Sequence, residues 1–245
     1  MVSPLSVQLY TVRDAIATDL PGTLQRLADI GFMQVELFGY TDRADDYVTA
    51  LQDAGLIAPS AHARLLGEDV ESIFAASTKL GVDTVIDPHI DEARWTTRDD
   101  VEAIAHELSR VAERAADHGL AVGYHNHAFE LSNRIDGVPA LQVFADALHD
   151  DVVLELDTYW SEVGGVPAAP FLEVLGDRVQ FLHVKDGPKT MDDTEQTAVG
   201  AGSMPIAAIL AAAPNALRVV ELDDHDGDVF QAVADSYAFL NTVHA

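Results

Sequence analysis

The 245-residue chain contains no cysteine. Disulfides, thiolate nucleophiles and thiolate-bound zinc are therefore excluded. Any metal must be held by oxygen and imidazole nitrogen. Basic residues are scarce, 14 against 41 acidic ones, for a formal net charge of −27. Lysine occurs only at Lys79, Lys185 and Lys189. So negative a surface repels nucleic-acid phosphates, whose binding rests on Lys and Arg displacing counterions, and it disfavours anionic membranes. The chain lacks an apolar run long enough to span a bilayer. Its start, MVSPLSVQLYTV, lacks a charged segment followed by an apolar one, so no leader peptide and a cytoplasmic location are expected. No GxGxxG follows the first apolar run, which weakens a doubly wound dinucleotide-binding sheet.

What the chain does contain is an alternation. Short β-branched runs (LSVQLYT, MQVELFG, LIAPSAHARL, VDTVIDPHI, LAVGYHNHA, DVVLELDTYW, VQFLHVKDG, LRVVELDD) alternate with amphipathic stretches such as DLPGTLQRLADIG and TRDDVEAIAHELSRVAERAADHG. Asp, Ser or Thr opens many of these stretches and Gly closes them, as helix capping requires. Strands alternating with helices imply parallel pairing through right-handed crossovers. Eight such units in this length predict an α/β fold, a single (β/α)8 barrel over residues 1–245, with an open doubly wound sheet as the alternative.

Barrel enzymes build their sites at the C-terminal strand ends. The polar residues at those positions are Gln8 and Tyr10; Glu36; His62 and Arg64; Asp87 and His89; His125 and His127 with Glu130 beyond; Glu155 and Asp157; His183 and Lys185; Glu221 and Asp223. Carboxylates converging on one axis repel one another unless a cation lies among them. A divalent ion resolves the conflict, and mixed Asp/Glu/His donors suit Mn²⁺, Mg²⁺, Co²⁺, Fe²⁺ or Zn²⁺. Asp157, His183 and Glu221 are the candidate ligands. Of His125 and His127, one is expected to face the metal and the other to touch substrate or hold the loop. His62, Glu36, Glu130 and Trp160 are candidate substrate contacts, and Tyr10 and Phe38 are further stacking surfaces. Lys185 shares strand parity with His183 and is a candidate electrophile, or an ion-pair partner of Glu155 or Asp186. His89, His106, His118, His149, His225 and His244 carry no distinguishing context.

The segments SVQLYTVRD, YHNHAFEL, LELDTYW, HVKD, VGAGSMP and VVELDD, in this order, resemble the xylose-isomerase-like barrel superfamily, in particular the proteins called sugar phosphate isomerase/epimerase. The similarity covers nearly the whole chain. It implies one divalent metal held by residues of strands five to eight: His125 or His127, then Asp157, His183 and Glu221. In the epimerase relatives the strand-five ligand is a glutamate that works with the strand-eight glutamate as an acid/base pair. Here that strand reads YHNH. The working assignment places His127 on the metal with Asp157, His183 and Glu221, and gives the chemistry to Glu221, His125 and Lys185.

The implied reaction is proton abstraction next to the carbonyl of a sugar or keto-sugar, through an enediolate. Isomerisation or epimerisation is the first expectation. Dehydration or cleavage of an inosose or 3-keto-glycoside is the second, and a non-catalytic sugar-binding barrel is the alternative of another class. The expected partner is a small sugar, uncharged because no Gly-rich phosphate loop is present, with a homodimer possible and no nucleic acid or membrane partner.

Overall fold

The computed structural model describes residues 5–243; His244 lies outside them. Eight parallel strands form a nearly closed barrel: β1 Leu5–Val7, β2 Gln34–Leu37, β3 Ile57–His62, β4 Thr84–Asp87, β5 Ala121–His125, β6 Val152–Asp157, β7 Val179–Val184 and β8 Leu217–Val220. Each is hydrogen-bonded to its sequence neighbour, β8 returns to pair with β1, and the single bridge Gln8–Glu36 joins β1 to β2. The expected barrel is borne out.

The helices lie outside and obey local chemistry. The Asp19 carboxylate accepts the amide of Gly22 at 3.0 Å and opens helix Leu20–Ile30. Thr97 caps Arg98–Ala116. Gly55 and Gly81 close Ala44–Ala54 and Val70–Leu80 in the left-handed region, where a Cβ would be strained. The main core fills the space between helices and barrel. A smaller cluster, Ile86, Val153 and Phe181, sits apart from it. Strand alternation accounts for this: Gly123 and His125, Val153, Glu155 and Asp157, and Phe181, His183 and Lys185 each share one face of their strand, toward the axis. The apolar cluster is thus the floor one step back from the polar residues. Gly123 keeps that floor from overfilling, since a Cβ there would lie 3.1 Å from Ile86 and 3.2 Å from Val153.

Three stretches depart from the sequence reading. LSVQLYT is strand only to Val7; Tyr10 lies in a 3-10 turn, Leu9–Val12. LELDTYW stops being strand at Asp157, whose side chain accepts the Trp160 amide at 2.8 Å and starts helix Thr158–Val163. The stretch before helix Ala140–Ala147 holds an unexpected hairpin, Arg134–Ile135 with Val138–Pro139. Its turn residues Asp136 and Gly137 both have positive φ, the geometry that Asp-Gly favours.

Phe144 of helix Ala140–Ala147 is fully buried, its ring 5.1 Å from Trp95 and 5.0 Å from Tyr124. Phe144→Ala is expected to lower the unfolding free energy by about 3–5 kcal/mol, measured by urea denaturation.

Candidate metal and sugar site

Two layers of polar side chains cross the barrel mouth. In the outer layer, His125, Asp157, His183 and Glu221 bring one donor atom each within 4.8 Å of one another, all buried. They come from the ends of β5, β6 and β7 and from the residue after β8. His183 Nδ1 lies 2.5 Å from Glu221 Oε2, and His125 Nε2 lies 3.9 Å from Asp157 Oδ2. Asp157 spends Oδ1 on capping, while Oδ2 faces the Lys185 ammonium at 2.8 Å.

In the inner layer, Glu155 Oε2 lies 2.6 Å from His62 Nε2 and 3.1 Å from both His125 Nδ1 and His183 Nε2. Glu36 Oε1 is 2.7 Å from His183 Nε2 and accepts the Gln8 amide at 2.7 Å, while Ser60 donates to Oε2 at 2.5 Å.

Lys185 is fully buried, with Nζ 2.8 Å from Asp157, 2.7 Å from Glu221 and 2.6 Å from Asp223. Of the two expectations for it, the structure places it as an ion-pair partner, of these carboxylates rather than Glu155 or Asp186. Asp186 instead accepts the amides of Gly187, Gly200 and Met204 and pins the VGAGSMP loop.

Burial raises Asp157, Asp223 and Glu221 add to the rise, and Lys185 and His183 offset it only in part. Burial would also raise Glu221, but His183 and Lys185 hold it well below the usual carboxylate range. Glu36 is likewise held down, by His62 and His183 against its burial. Burial pulls His125 down, and the neighbouring cationic groups pull it further, so its ring is neutral. Burial opposes charge on His183, yet Glu155 and Glu221 raise it well above the usual histidine range; an ion at its Nδ1 would take the place of a proton. The crowding of carboxylates expected from sequence is present, and imidazolium and ammonium groups share the work of relieving it.

Above the outer layer opens a cavity of about 410 Å³, lined by Tyr10, Phe38, His62, Arg64, Pro88, His89, His125, His127, Trp160, Asp193, Glu221 and Asp223. Trp160 forms part of its wall and donates Nε1–H to Asp223 at 3.1 Å.

The structure brings His125 into the donor cluster and leaves His127 out. His127 follows the end of β5, stacks on Phe129 and is about one-third exposed. Its amide donates to Glu130 Oε2 at 2.8 Å, and Glu130 also accepts from Tyr124 Oη at 2.7 Å. Glu130, expected at the substrate, is thus fully buried as a helix-opening acceptor. Glu36 and Lys185 are buried behind the cavity wall, whereas His62 lines it. The sequence reading undervalued Glu155 and Asp223, although each stands two residues from a chosen ligand, Asp157 and Glu221. It also passed over His89, which borders the cavity and packs edge-on against His127 at 5.3 Å.

The sequence model of the Xylose isomerase-like TIM barrel family matches residues 24–235. The chain belongs to that family. No curated protein matches the sequence. Among solved structures, one sugar phosphate isomerase/epimerase from Parabacteroides distasonis is 23% identical, covers 98% of this chain and 93% of its own, and superposes with a TM-score of 0.85. A second from the same organism is 21% identical over 97% of both chains, with a TM-score of 0.81. The IOLI protein with a bound zinc atom is 15% identical over 99% of both, with a TM-score of 0.72. At these identities the likeness shows the fold. Among the described residues, no helix is long and apolar enough to cross a membrane.

Burial opposes charge on His62, but Glu36 and Glu155 outweigh it and push the ring up to about 10. That lies above the unfolded value of about 6.5. The resulting stabilisation is fully present below pH 6.5 and is lost as pH rises through 10. In metal-free protein, the His62 ring resonances followed by NMR are expected to titrate near the upper end of that window. Unfolding free energy should fall across the window in the wild type and fall less in His62→Gln.

Proposed function

We propose that the protein is a metal-dependent sugar isomerase or epimerase that removes a proton next to the carbonyl of a sugar or keto-sugar. The observation that carries this reading is the outer layer itself: two carboxylates and two imidazoles from four consecutive strands, buried at the base of a sugar-sized cavity. The neighbours named as sugar phosphate isomerase/epimerase and the zinc-bound IOLI protein support it at family level.

His125, Asp157, His183 and Glu221 would hold one divalent ion. Their donor chemistry fits: an Asp157 Oδ2 free of the helix cap and held only by the Lys185 ammonium, a neutral His125 ring, an ionised Glu221, and no sulfur. When bound, the ion supplies Lewis-acid stabilisation of the developing enediolate oxygens. The remaining work belongs to the protein. Glu221 lines the cavity, is ionised and is able to take the proton and return it. His125, expected from sequence to share the chemistry, has no nitrogen left for it once Nε2 faces the ion and Nδ1 faces Glu155. Lys185 stays charged, because Asp157, Asp223 and Glu221 outweigh its burial. It orients Glu221 and Asp223 from behind rather than touching the sugar. Trp160, fixed through Asp223, offers a ring face to the apolar side of a sugar, and His62 offers a polar contact. Proton return to the neighbouring carbon gives isomerisation, and return to the opposite face gives epimerisation.

A second reading, cleavage of a keto-glycoside, is favoured by one feature. A further cavity of about 440 Å³ adjoins the first and shares Phe38, His62, Arg64 and Pro88 with it. Together the two can take a second ring beyond the reacting one.

Incubation of metal-loaded protein with ketoses, inososes and keto-glycosides in D₂O is expected to place deuterium on the carbon next to the carbonyl of at least one substrate. Absence of exchange and of product across the panel would leave the sugar-binding barrel as the better reading. For an exchanging substrate, Glu221→Gln and Asp157→Asn should each lower kcat/KM at least about 100-fold, the scale of losing a general base or a Lewis-acid ligand.

A further inference from the structure

His125 and His183 belong to two donor groups at once. One is the outer layer; the other joins them to His62 and Glu155. The rings serve the two groups through different nitrogens. His125 turns Nε2 toward Asp157 and Nδ1 toward Glu155, at 3.9 and 3.1 Å. His183 turns Nδ1 toward Glu221 and Nε2 toward Glu36 and Glu155, at 2.5, 2.7 and 3.1 Å. A neutral imidazole carries one N–H, and the acceptor that takes it decides which nitrogen is left with a lone pair.

We propose that Glu155 and Glu36 are positioning residues for the metal, which accept the inner N–H of His125 and His183 and so aim the outer nitrogen of each ring at a single ion. The inference rests on the reading that the outer layer holds that ion. Glu155 Oε2 serves both rings, and Glu36 Oε1 adds a second acceptor for His183. Glu36 is itself fixed from behind by Gln8 and Ser60, so its orientation is independent of the histidines. His62 then has a separate part: its Nε2 lies 2.6 Å from Glu155 and 3.2 Å from Glu36, where a protonated ring balances the two inner carboxylates.

The competing arrangement puts the ion in the inner group, with His62 as a ligand. Charge argues against it. Each group has two members on the cavity, His125 with Glu221 outside and His125 with His62 inside. The outer group offers a doubly charged ion two carboxylates, the inner group only one. That one, Glu155, already faces three imidazoles through Oε2, which leaves only Oε1 without a partner. Carboxylate acceptors behind ligating histidines typically change metal affinity 10–100-fold when replaced.

The test is titration of metal-free protein with Zn²⁺ against a competing chelator, and with Co²⁺ followed by its visible absorption. The wild type should take up one equivalent. Glu155→Gln and Glu36→Gln should keep that stoichiometry, weaken affinity 10–100-fold and shift the Co²⁺ bands, while circular dichroism verifies that the barrel is intact. Glu36→Gln leaves the His125 acceptor untouched, so it reads His183 alone if Glu155→Gln does not fold. His62→Gln should leave affinity no weaker. Affinities of both carboxamide variants within twofold of the wild type overturn the proposal. So does a second equivalent, or loss of binding in His62→Gln with binding retained in Asp157→Asn, which would put the ion inside. A wild type that binds neither ion refutes the metal reading itself, whereas binding that is indifferent to Glu155 and Glu36 refutes only the positioning.

Discussion

The mouth of this barrel is governed by the repulsion among Glu36, Glu155, Asp157, Glu221 and Asp223, five acidic side chains of which all but Asp223 are buried. No such group can stand in an interior without compensation. Here compensation comes in two parts. Lys185 gathers Asp157, Glu221 and Asp223 on one side, and His62 and His183 bridge the rest. The rest of the site follows from that arrangement. Side chains so tightly coupled have few rotamers open to them, and a reaction centre needs that fixity.

The fold supplies the positions. Alternation along a strand gives each of β5, β6 and β7 a stack of inward residues whose lower member is Gly123, Val153 or Phe181 and whose upper members are ionisable. A dry floor beneath a charged layer raises the strength of every interaction above it. The Trp95, Tyr124 and Phe144 cluster lies in the helix-facing core behind β5, so the wall that carries His125 is braced from outside as well.

Much of this could be read from residue order alone. The barrel was legible because its strands and helices repeat with different periods and end in recognisable caps. Asp157 and Glu221 were legible because each ends a short apolar run, and His183 because it sits between Leu182 and Val184. The choice between His125 and His127 was not. It turns on where β5 stops, and that depends on Asn126, which accepts the Asp157 amide at 2.9 Å from the neighbouring strand. The chain bends there, and alternation no longer says which way the next ring points. Glu130 misled for a related reason: three residues after a histidine, a carboxylate that closes a helical turn looks the same as one that meets a sugar. The partners of Lys185 lie on or just beyond β6 and β8, and no local pattern reports such a meeting.

The double duty of Asp157 carries one more consequence. Its Oδ1 is committed to the first turn of the helix that follows β6, so the carboxylate can lend an ion only a single oxygen. Large, oxygen-hungry ions such as calcium satisfy six to eight positions by gripping acidic side chains through both oxygens. For the proposed ion, a pocket whose aspartate is tethered in this way, and half of whose donors are nitrogen, would discriminate by tooth count. It would suit the smaller ions that accept few contacts, with the backbone of a neighbouring helix enforcing that preference.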